Sequence, residues 1–378
     1  MAIQKVTIEE FLQLAKKHPV FDVRSPGEFV HAHIPGATSL PLFTDEERKV
    51  VGTAYKLQSK QIAIKFGLDF FGVKMRAMVG EVESLVIERK KLAEKQQQTN
   101  NEQQTTSIVL VHCWRGGMRS AGVAWLLDLY GFTVYTLVGG YKVYRKWALA
   151  QFEKEYSFKI IGGYTGSGKT LVLQQLAQQQ QNTIDLEALA NHKGSAFGAL
   201  GEDPQPKQEM FENLLAEKLA DVRCTLAAEN SSSATNDQHK TCIWLEDESQ
   251  RIGNLQIPMP LWFTMRKSPI YFLDIPFEDR LNYITEEYGK FKKEQLVNAI
   301  IRIQKRLGGL ETKNAINHLL ENNYKECFSI LLTYYDKLYN KALLNRENLS
   351  VLLNKIPCSG VDTTTNTQII LSCNIVTA

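Results

Sequence analysis

The chain has 378 residues, 44% of them hydrophobic and 22% charged, which suits about two globular domains and excludes wholesale disorder. The formal net charge is only +3, so no global positive field indicates a nucleic-acid partner. No apolar run reaches the roughly 20 residues that span a bilayer, the N-terminus lacks an apolar signal core, and the six cysteines form no C-x-x-C pair. We therefore expect a cytoplasmic protein with reduced thiols and no membrane association.

The first 150 residues alternate short β-type runs with helical runs. Strands are predicted over residues 19–25, 107–114 and 132–140, with helices over residues 118–131 and 139–156. This alternation is typical of an α/β domain with a central parallel sheet, in which ligands lie at the carboxyl ends of the strands.

A second strand–helix series follows and predicts another α/β domain over residues 155–355. Its strands are predicted to begin near residue 158 and to include residues 182–187, 242–247 and 269–275. Beyond Phe277 the chain becomes helical and charged, and residues 356–378 are predicted to be a C-terminal tail, either a small strand or a frayed end. Two polar stretches, residues 95–107 and 228–240, are predicted to be solvent-exposed loops.

Cys113 opens the run CWRGGMRS, between a predicted hydrophobic strand and a predicted helix. Gly116 and Gly117 would let backbone N–H groups converge, while Arg115 and Arg119 add positive charge. Such surroundings lower the pKa of a thiol because they favour the thiolate. We therefore predict that Cys113, Arg115 and Arg119 form a catalytic site; a buried structural thiol is the alternative.

The run DVRSPGEFVHAHIPGA at residues 22–37, followed by the Cys113 loop, resembles the rhodanese family of sulfurtransferases. The resemblance implies a rhodanese-like domain over residues 1–150, with Asp22 and Arg24 in a structural motif and Cys113 as a sulfur carrier. The family's Gly-His-Ile-Pro-Gly is altered here, because Ala32 replaces its first glycine.

Residues 163–170, GYTGSGKT, fit the phosphate-binding pattern G-x-x-x-x-G-K-[ST] in full. A β-type run precedes the motif and a helical run follows it, which is the context that the motif requires; a plain glycine-rich turn is the alternative. In this P-loop the backbone wraps a diphosphate, Lys169 reaches a terminal phosphate, and Thr170 would hold Mg²⁺ if the reaction uses it. The predicted phosphate-binding residues are Gly163, Gly166, Ser167, Gly168, Lys169 and Thr170.

Acidic residues at the ends of neighbouring strands are candidate partners of the P-loop. The run Glu246-Asp247-Glu248 follows an apolar stretch, a Walker-B-like position for holding Mg²⁺ or its water. Asp185 ends the predicted strand NTID and resembles the substrate-side acid of small P-loop kinases. We predict that Asp185 and Asp247 are the acidic partners of the P-loop; solvated turns are the alternative.

The combined motifs resemble the bacterial tRNA 2-selenouridine synthase family, a rhodanese domain fused to a P-loop domain. The resemblance rests on FDVRSPGEF, HCWRGGMRSAGVAWLL, GGYTGSGKT, DLEALANHKGSAFG, QPKQEMFENLL and WLEDESQRIG, and it covers residues 20–255. It implies that the thiocarbonyl sulfur of wobble 2-thiouridine is geranylated from geranyl diphosphate, and that selenium from selenophosphate then displaces the S-geranyl group. It implies no tightly bound cofactor, with tRNA bearing 2-thiouridine and an enzyme that supplies selenophosphate as partners.

Within this resemblance, the P-loop would hold the diphosphate of the prenyl donor, and Cys113 would either take a covalent selenium adduct or assist departure of the geranyl thiol. His192 and Ser195 would line a substrate pocket, and Tyr164 with residues 261–263 could contact the geranyl chain. The tRNA backbone would meet a local basic surface drawn from Arg251, Arg266, Lys267, Lys290, Lys292, Lys293, Arg302, Lys305 and Arg306.

Two other functions remain open at this level. A small-molecule kinase or NTPase fused to a rhodanese domain would turn over ATP without Cys113. A regulator would instead use nucleotide binding at the P-loop to gate binding of a partner. The intact Cys113 loop and the intact pair Lys169-Thr170 argue against a degenerate, inactive chain.

Overall fold

A computed structural model describes residues 3–96, 107–232 and 242–373. The chain divides into two compact units, Met1–Ala150 and Gln151–Ala378. Within the described ranges, no helix combines the length and the apolar character that a membrane span needs.

The N-terminal unit is an α/β domain in which helices separate most of the strands. Its elements are β1 (Gln4–Val6), α1 (Ile8–Ala15), β2 (Val20–Asp22), α2 (Pro26–His31), β3 (Thr38–Ser39), α3 (Asp45–Leu57), α4 (Lys60–Gly72), α5 (Met75–Gln96), β4 (Ile108–His112), α6 (Met118–Tyr130), β5 (Thr133–Leu137) and α7 (Gly140–Gln151).

The sheet of this unit has the strand order β1-β5-β4-β2-β3, and all of its neighbouring strands are parallel. The central strands β2 and β4 carry fully buried residues, as expected for a parallel sheet covered on both faces. The carboxyl end of β4 leads directly into the Cys113 loop, which we define as residues 113–117. The prediction of an α/β fold with a parallel sheet is confirmed here.

The C-terminal unit is a second α/β domain with a helical region. Its elements are β6 (Phe158–Gly163), α8 (Lys169–Gln178), α9 (Leu186–Ala190), α10 (Gln208–Ser232), β7 (Ile243–Glu246), β8 (Arg251–Ile252), β9 (Leu255–Gln256), α11 (Met259–Arg266), β10 (Ile270–Asp274), α12 (Phe277–Tyr288), α13 (Lys293–Leu307), α14 (Gly309–Leu320), α15 (Tyr324–Leu344), α16 (Leu349–Leu352), β11 (Leu353–Pro357) and α17 (Thr363–Cys373).

Its main sheet has the order β11-β10-β6-β7, again with parallel neighbours, and β8 and β9 form a separate antiparallel hairpin. The P-loop, residues 163–170, joins β6 to α8 at the carboxyl edge of this sheet. Helices α12 to α15 pack around their own apolar core, which includes Leu281, Ile300 and Phe328.

The predicted strand over residues 182–187 is wrong, because only Thr183 forms an isolated bridge, to Trp244. The chain turns helical directly afterwards, since the Asp185 side chain accepts a hydrogen bond from the backbone N–H of Ala188 at 2.8 Å and caps α9.

The predicted C-terminal tail from residue 356 is also wrong. Strand β11 runs through that boundary and pairs with β10, and α17 packs against α8. Ile356 and Ile370 are buried in the core of the unit, which explains why the segment folds although its overall composition is rich in Thr and Asn.

The two predicted polar loops begin later than the composition indicates. Helix α5 continues to Gln96 and α10 continues to Ser232, so residues 95–96 and 228–232 are helical. The remaining parts of the two stretches, residues 97–106 and 233–240, lie outside the described residues.

Candidate functional site

Two positions, one in the Cys113 loop and one in the turn of α7 that packs against it, permit only glycine. Gly116 has a φ of +64°, and a Cβ there would lie 2.7 Å from the carbonyl oxygen of Leu137. A Cβ on Gly140, at the start of α7, would lie 2.2 Å from the carbonyl oxygen of Cys113. The same Cys113 oxygen accepts a hydrogen bond from the backbone N–H of Tyr141 at 2.8 Å. The loop is therefore held tightly against the first turn of α7.

The Cys113 thiol is buried, with 3% of its surface exposed, and it lies over the first turn of α6. Burial alone would raise its pKa, but hydrogen bonds outweigh burial and the pKa lies below the ordinary thiol value. The hydrogen-bond partners are the Ser120 hydroxyl, whose oxygen is 3.3 Å from the sulfur, and the backbone N–H groups of Ser120, Arg115 and Gly117. The site thus stabilises a thiolate.

The two predicted arginines act differently from each other. Arg119 forms an ion pair with Glu28 of α2 at 2.8 Å, so its charge is partly neutralised within the protein. The side chain of Arg115 is exposed, and its backbone N–H supports the thiol. Ser120, which the sequence interpretation did not include, is the side chain that contacts the sulfur.

Behind the loop, Arg24 and Asp22 form a buried ion pair in which the guanidinium donates to both carboxylate oxygens at 2.6 to 3.0 Å. Arg24 also donates to the carbonyl oxygen of Ala32 at 2.7 Å and lies 3.9 Å from the ring centre of Tyr141. These contacts tie β2, the segment after α2 and the start of α7 together. The pair is therefore a structural support for the strand ends that carry the Cys113 loop.

The P-loop takes positive φ angles at three glycines, +149° at Gly163, +81° at Gly166 and +69° at Gly168. A Cβ on Gly163 would lie 2.5 Å from the Ser167 hydroxyl oxygen, so the loop is too compact there for another residue. Its N–H groups and the N-terminus of α8 form the kind of cradle that binds phosphate. In the structure the Lys169 amino group donates to the carbonyl oxygen of Gly163 at 3.0 Å.

Three glutamates, which we call the glutamate cluster, lie beside Lys169. Glu187, Glu246 and Glu248 each offer a carboxylate oxygen, and these oxygens lie within 4.8 Å of one another. The Thr170 hydroxyl donates to Glu187 at 3.4 Å, and one oxygen of the buried Glu246 has no hydrogen-bond partner in the described structure. Several hard oxygen ligands around one point suit a cation such as Mg²⁺.

Burial dominates the ionisation of this cluster. It raises the pKa of Glu187 to about 7 and the pKa of Glu246 to about 8, and mutual repulsion adds to the effect on Glu246. The pKa of Glu248 is raised well above its usual value for the same reasons. The positive charge of Lys169 acts in the opposite direction on all three pKa values but does not outweigh burial. A cation would relieve the repulsion, so these residues fit a divalent metal ion.

Neither predicted acidic partner belongs to this cluster. Asp185 caps α9, and Asp247 forms a buried ion pair with Arg346. Asp247 points to the opposite side from Glu246 because successive side chains alternate along a strand. Its carboxylate also accepts a hydrogen bond from Tyr339 at 2.7 Å.

Helix α15 holds the first turn of the P-loop. The Tyr339 hydroxyl accepts a hydrogen bond from the backbone N–H of Gly163 at 3.2 Å and donates to Asp247. Gly163, Tyr339, Asp247 and Arg346 thus form one continuous chain of hydrogen bonds.

The same helix face also contacts the next two P-loop residues. The Tyr164 hydroxyl donates to Asn340 at 2.8 Å. Arg280 of α12 donates to the carbonyl oxygen of Thr165 at 3.1 Å, and its guanidinium pairs with Asp336 at 2.8 Å. The guanidinium of Arg280 also lies 4.8 Å from the ring centre of Tyr164. Arg280 therefore covers the aromatic ring that the sequence predicts as a contact of the geranyl chain.

The predicted pocket residues His192 and Ser195 lie on a loop that approaches the glutamate cluster. A Cβ on Gly194 would lie 2.9 Å from a carboxylate oxygen of Glu248. The Ser195 hydroxyl accepts a hydrogen bond from the backbone N–H of Phe197 at 3.1 Å. His192 is buried, and burial lowers its pKa. This loop therefore lies beside the cluster.

Among residues 261–263, which the sequence predicts as contacts of the geranyl chain, Leu261 is buried and Phe263 is 50% exposed.

Several cations of the predicted tRNA surface form hydrogen bonds within the protein. Arg266 donates to the carbonyl oxygen of Ala342 at 3.1 Å, and Lys293 donates to that of Leu320 at 3.0 Å. Exposed cations on α13 remain, namely Arg302, Lys305 and Arg306.

Comparison with known proteins gives consistent matches. Residues 156–356 match the family described as the tRNA 2-selenouridine synthase AAA domain. Proteins named tRNA 2-selenouridine synthase are similar to the chain over most of its length. The one from Sulfurovum sp. is 34% identical and covers 85% of this chain and 88% of its own length. The one from Psychromonas ingrahamii is 30% identical, and the match covers 86% of this chain and 88% of that protein.

One solved structure is also similar to part of the chain. It is the N-terminal domain of a protein from Clostridium difficile 630 that is named for ATP/GTP binding, with 34% identity and a TM-score of 0.32. The match covers 39% of this chain and 99% of that domain.

Proposed function

The chain belongs to the tRNA 2-selenouridine synthase family, and we propose that it makes 2-selenouridine in tRNA from 2-thiouridine at the wobble position. The observation that carries the proposal is the presence, in one chain of this family, of a stabilised thiolate and a complete phosphate-binding loop. Exchange of sulfur for selenium needs both an activated carbon and a nucleophile, and the two sites suit these two tasks.

We assign the first step to the P-loop, with geranyl diphosphate as the donor. The thiocarbonyl sulfur forms a bond to C1 of the geranyl group, the C1–O bond breaks, and the electron pair leaves with the diphosphate. Lys169 and the N–H groups at the start of α8 would stabilise the charge on this leaving group. Lys169 must then exchange its bond to the carbonyl oxygen of Gly163 for a phosphate oxygen.

A divalent cation fits beside this loop, held by Glu187, Glu246, Glu248 and Thr170. When bound, it would neutralise negative charge on the diphosphate. The orphaned oxygen of Glu246 supports this assignment, because a buried carboxylate oxygen without a partner is costly.

We assign the second step to Cys113. After geranylation, the C2 carbon of the base accepts a thiolate, because its sulfur can now leave as geranyl thiol. The Cys113 thiolate would form a bond to C2 as the C2–S bond to the geranyl thiol breaks. Selenophosphate would then displace Cys113 through its selenium, and water would hydrolyse the Se–P bond to release phosphate. An enzyme that makes selenophosphate would supply this donor.

Mass spectrometry of nucleosides tests the proposal. Thiolated tRNA is incubated with the protein, geranyl diphosphate and selenophosphate, and the S-geranyl nucleoside is expected first and the 2-seleno nucleoside second. Cys113→Ser should abolish selenation and leave geranylation intact, whereas Lys169→Ala should reduce geranylation by about 100-fold or more.

Unchanged 2-thiouridine with folded wild-type protein and intact donors would refute the proposal. ATP turnover that does not depend on Cys113 would then favour a kinase or NTPase. Equal loss of both reactions in the Cys113→Ser protein would contradict the division of labour between the two sites.

A further inference from the structure

Bulky apolar side chains are exposed beside the buried thiol. Trp114, directly after Cys113, is 37% exposed, and Met118 at the start of α6 is 57% exposed. Val138 is 54% exposed and lies next to the loop, because Gly116 packs against the backbone of Leu137 and Gly139. Large apolar groups at the rim of a nucleophile are typical of a surface that another molecule covers.

Helix α7 adds positive charge to the same rim. The backbone N–H of Lys142 donates to the carbonyl oxygen of Trp114 at 3.0 Å, so the first turn of α7 adjoins the loop. Lys142 and Lys146 are both exposed and lie four residues apart, on one face of the helix. The opposite face is fully buried through Tyr141, Tyr144 and Ala148.

Neither helix α7 nor the run from Cys113 to Ser120 supplies an acidic residue that would balance this charge. The sequence of α7, GYKVYRKWALAQ, contains no acidic residue, and neither does the run CWRGGMRS. Glu28 reaches the loop from α2, but it is paired with Arg119 at 2.8 Å and with Arg48 at 2.9 Å. The exposed cations Arg115, Lys142 and Lys146 therefore leave a net positive surface around Cys113.

We propose that Trp114, Arg115, Lys142 and Lys146, which we call the α7 surface, bind the anticodon arm of the substrate tRNA. The lysines contact backbone phosphates, and Trp114 stacks on an unpaired base that is presented to Cys113. This inference rests on the proposed function and locates its nucleic-acid partner on the N-terminal unit. The C-terminal helices, where the sequence had indicated a basic surface, are the competing location.

The spacing of these groups favours a nucleic acid over a small anion. Lys142 and Lys146 are about 6 Å apart along the helix axis, at 1.5 Å per residue. A single small anion would contact one point of this surface and would leave Trp114 unused. A polyanion with exposed bases uses all of them.

Binding of an anticodon stem-loop that contains 2-thiouridine tests the α7 surface. Fluorescence anisotropy with the full chain, at several salt concentrations, gives the affinity and the slope of log K against log salt. The double variant Lys142→Gln, Lys146→Gln should reduce the slope by about 2, because each phosphate contact contributes about 1. The matched double variant Lys90→Gln, Lys91→Gln, on an exposed part of α5, should keep the wild-type slope.

Trp114 has a separate readout. Trp114→Leu should weaken stem-loop binding by about 10-fold, whereas Trp114→Phe should retain most of the affinity because a ring remains for stacking. The melting temperature of each variant is measured alongside. Equal affinity of the Leu and Phe variants would remove the stacking role of Trp114.

The outcomes separate this inference from the proposed function. If the α7 double variant binds with wild-type affinity and slope, while Lys305→Gln with Arg306→Gln on α13 lowers the slope, the α7 surface is wrong and the C-terminal helices bind tRNA. Such a result, with wild-type protein still converting 2-thiouridine, would leave the proposed function intact. Wild-type protein that neither binds the stem-loop nor changes 2-thiouridine would overturn both.

Discussion

The Cys113 loop and the P-loop are built in the same way. Each begins at the carboxyl end of a buried parallel strand and ends at the first turn of a helix, β4 to α6 in one unit and β6 to α8 in the other. Each needs glycines with positive φ, such as Gly116 and Gly166, to turn its backbone N–H groups inward. Both are therefore anion cradles by construction.

The difference lies in what the protein places at the centre of each cradle. In the first, the Cys113 sulfur occupies it, and the N–H groups stabilise a negative charge that belongs to the protein. In the second, the P-loop itself has no acidic side chain. Its Lys169 lies beside the glutamate cluster, in which the pKa values of Glu187 and Glu246 are raised. One geometry thus stabilises a thiolate in one unit and, in the function we propose, binds a diphosphate in the other.

The largest expected effect comes from removing the negative charge beside the P-loop. Glu246→Gln should lower the affinity for Mg²⁺ by at least about 100-fold, because Glu246 is the most buried carboxylate of the cluster. The measurement is the melting temperature with and without Mg²⁺, which should respond in wild-type protein and not in the variant. Glu326→Gln, which removes an exposed carboxylate of α15 outside the cluster, is the matched control.

The same cluster predicts how stability depends on pH in protein stripped of divalent cations. Because the pKa of Glu187 is raised to about 7 and that of Glu246 to about 8, the folded protein binds more protons than the unfolded chain above the ordinary glutamate value of 4.5. The contribution of these two glutamates to stability is therefore full below that value and is lost as pH rises toward 8. Glu246→Gln should flatten this dependence, and an unchanged melting profile would show that the cluster is already ionised.

The next prediction concerns the thiolate. Ser120→Ala removes a side-chain hydrogen-bond partner of Cys113, so the pKa of the thiol should rise toward its ordinary value. At neutral pH the rate of alkylation by iodoacetamide should fall by about 10-fold, and its pH profile should shift upward. The Cys113→Ser protein gives the background from the other cysteines. An unshifted profile would mean that the backbone N–H groups stabilise the thiolate without Ser120.

The sequence predicts both cradles because their signals are local. Cys113 with Gly116 and Gly117, and the run ending in Lys169-Thr170, each lie within eight residues between a strand and a helix. The sequence singles out the run Glu246-Asp247-Glu248 and Asp185, and the structure brings the two glutamates of that run together with Glu187 in the glutamate cluster. The sequence also holds signals that separate the two aspartates from the cluster. Asp185 before the run LEALA is a helix cap, and the period of two along a strand separates Asp247 from its neighbours.

Other features could not be read from local patterns. Strand β11 and helix α17 are stable because Ile356 and Ile370 are buried, and nothing in the polar C-terminal composition indicates that burial. The contact between Gly163 and Tyr339 joins residues 176 positions apart. Such long-range contacts arise from packing of the helical region on the sheet, which no short motif specifies.

The smallest expected effect tests this long-range support of the P-loop. Tyr339→Phe keeps the ring but removes the hydroxyl between Gly163 and Asp247, so it should cost about 1 to 2 kcal/mol of unfolding free energy. A looser first turn should raise KM for geranyl diphosphate a few-fold and leave kcat nearly unchanged, because Lys169 and the glutamate cluster are intact. Tyr334→Phe, on the same helix without a described bond to the P-loop, is the control. If both variants raise KM equally, the Tyr339 hydroxyl stabilises helix α15 rather than the P-loop. The hydrogen bond from Gly163 to Tyr339 would then not be what shapes the P-loop for its substrate.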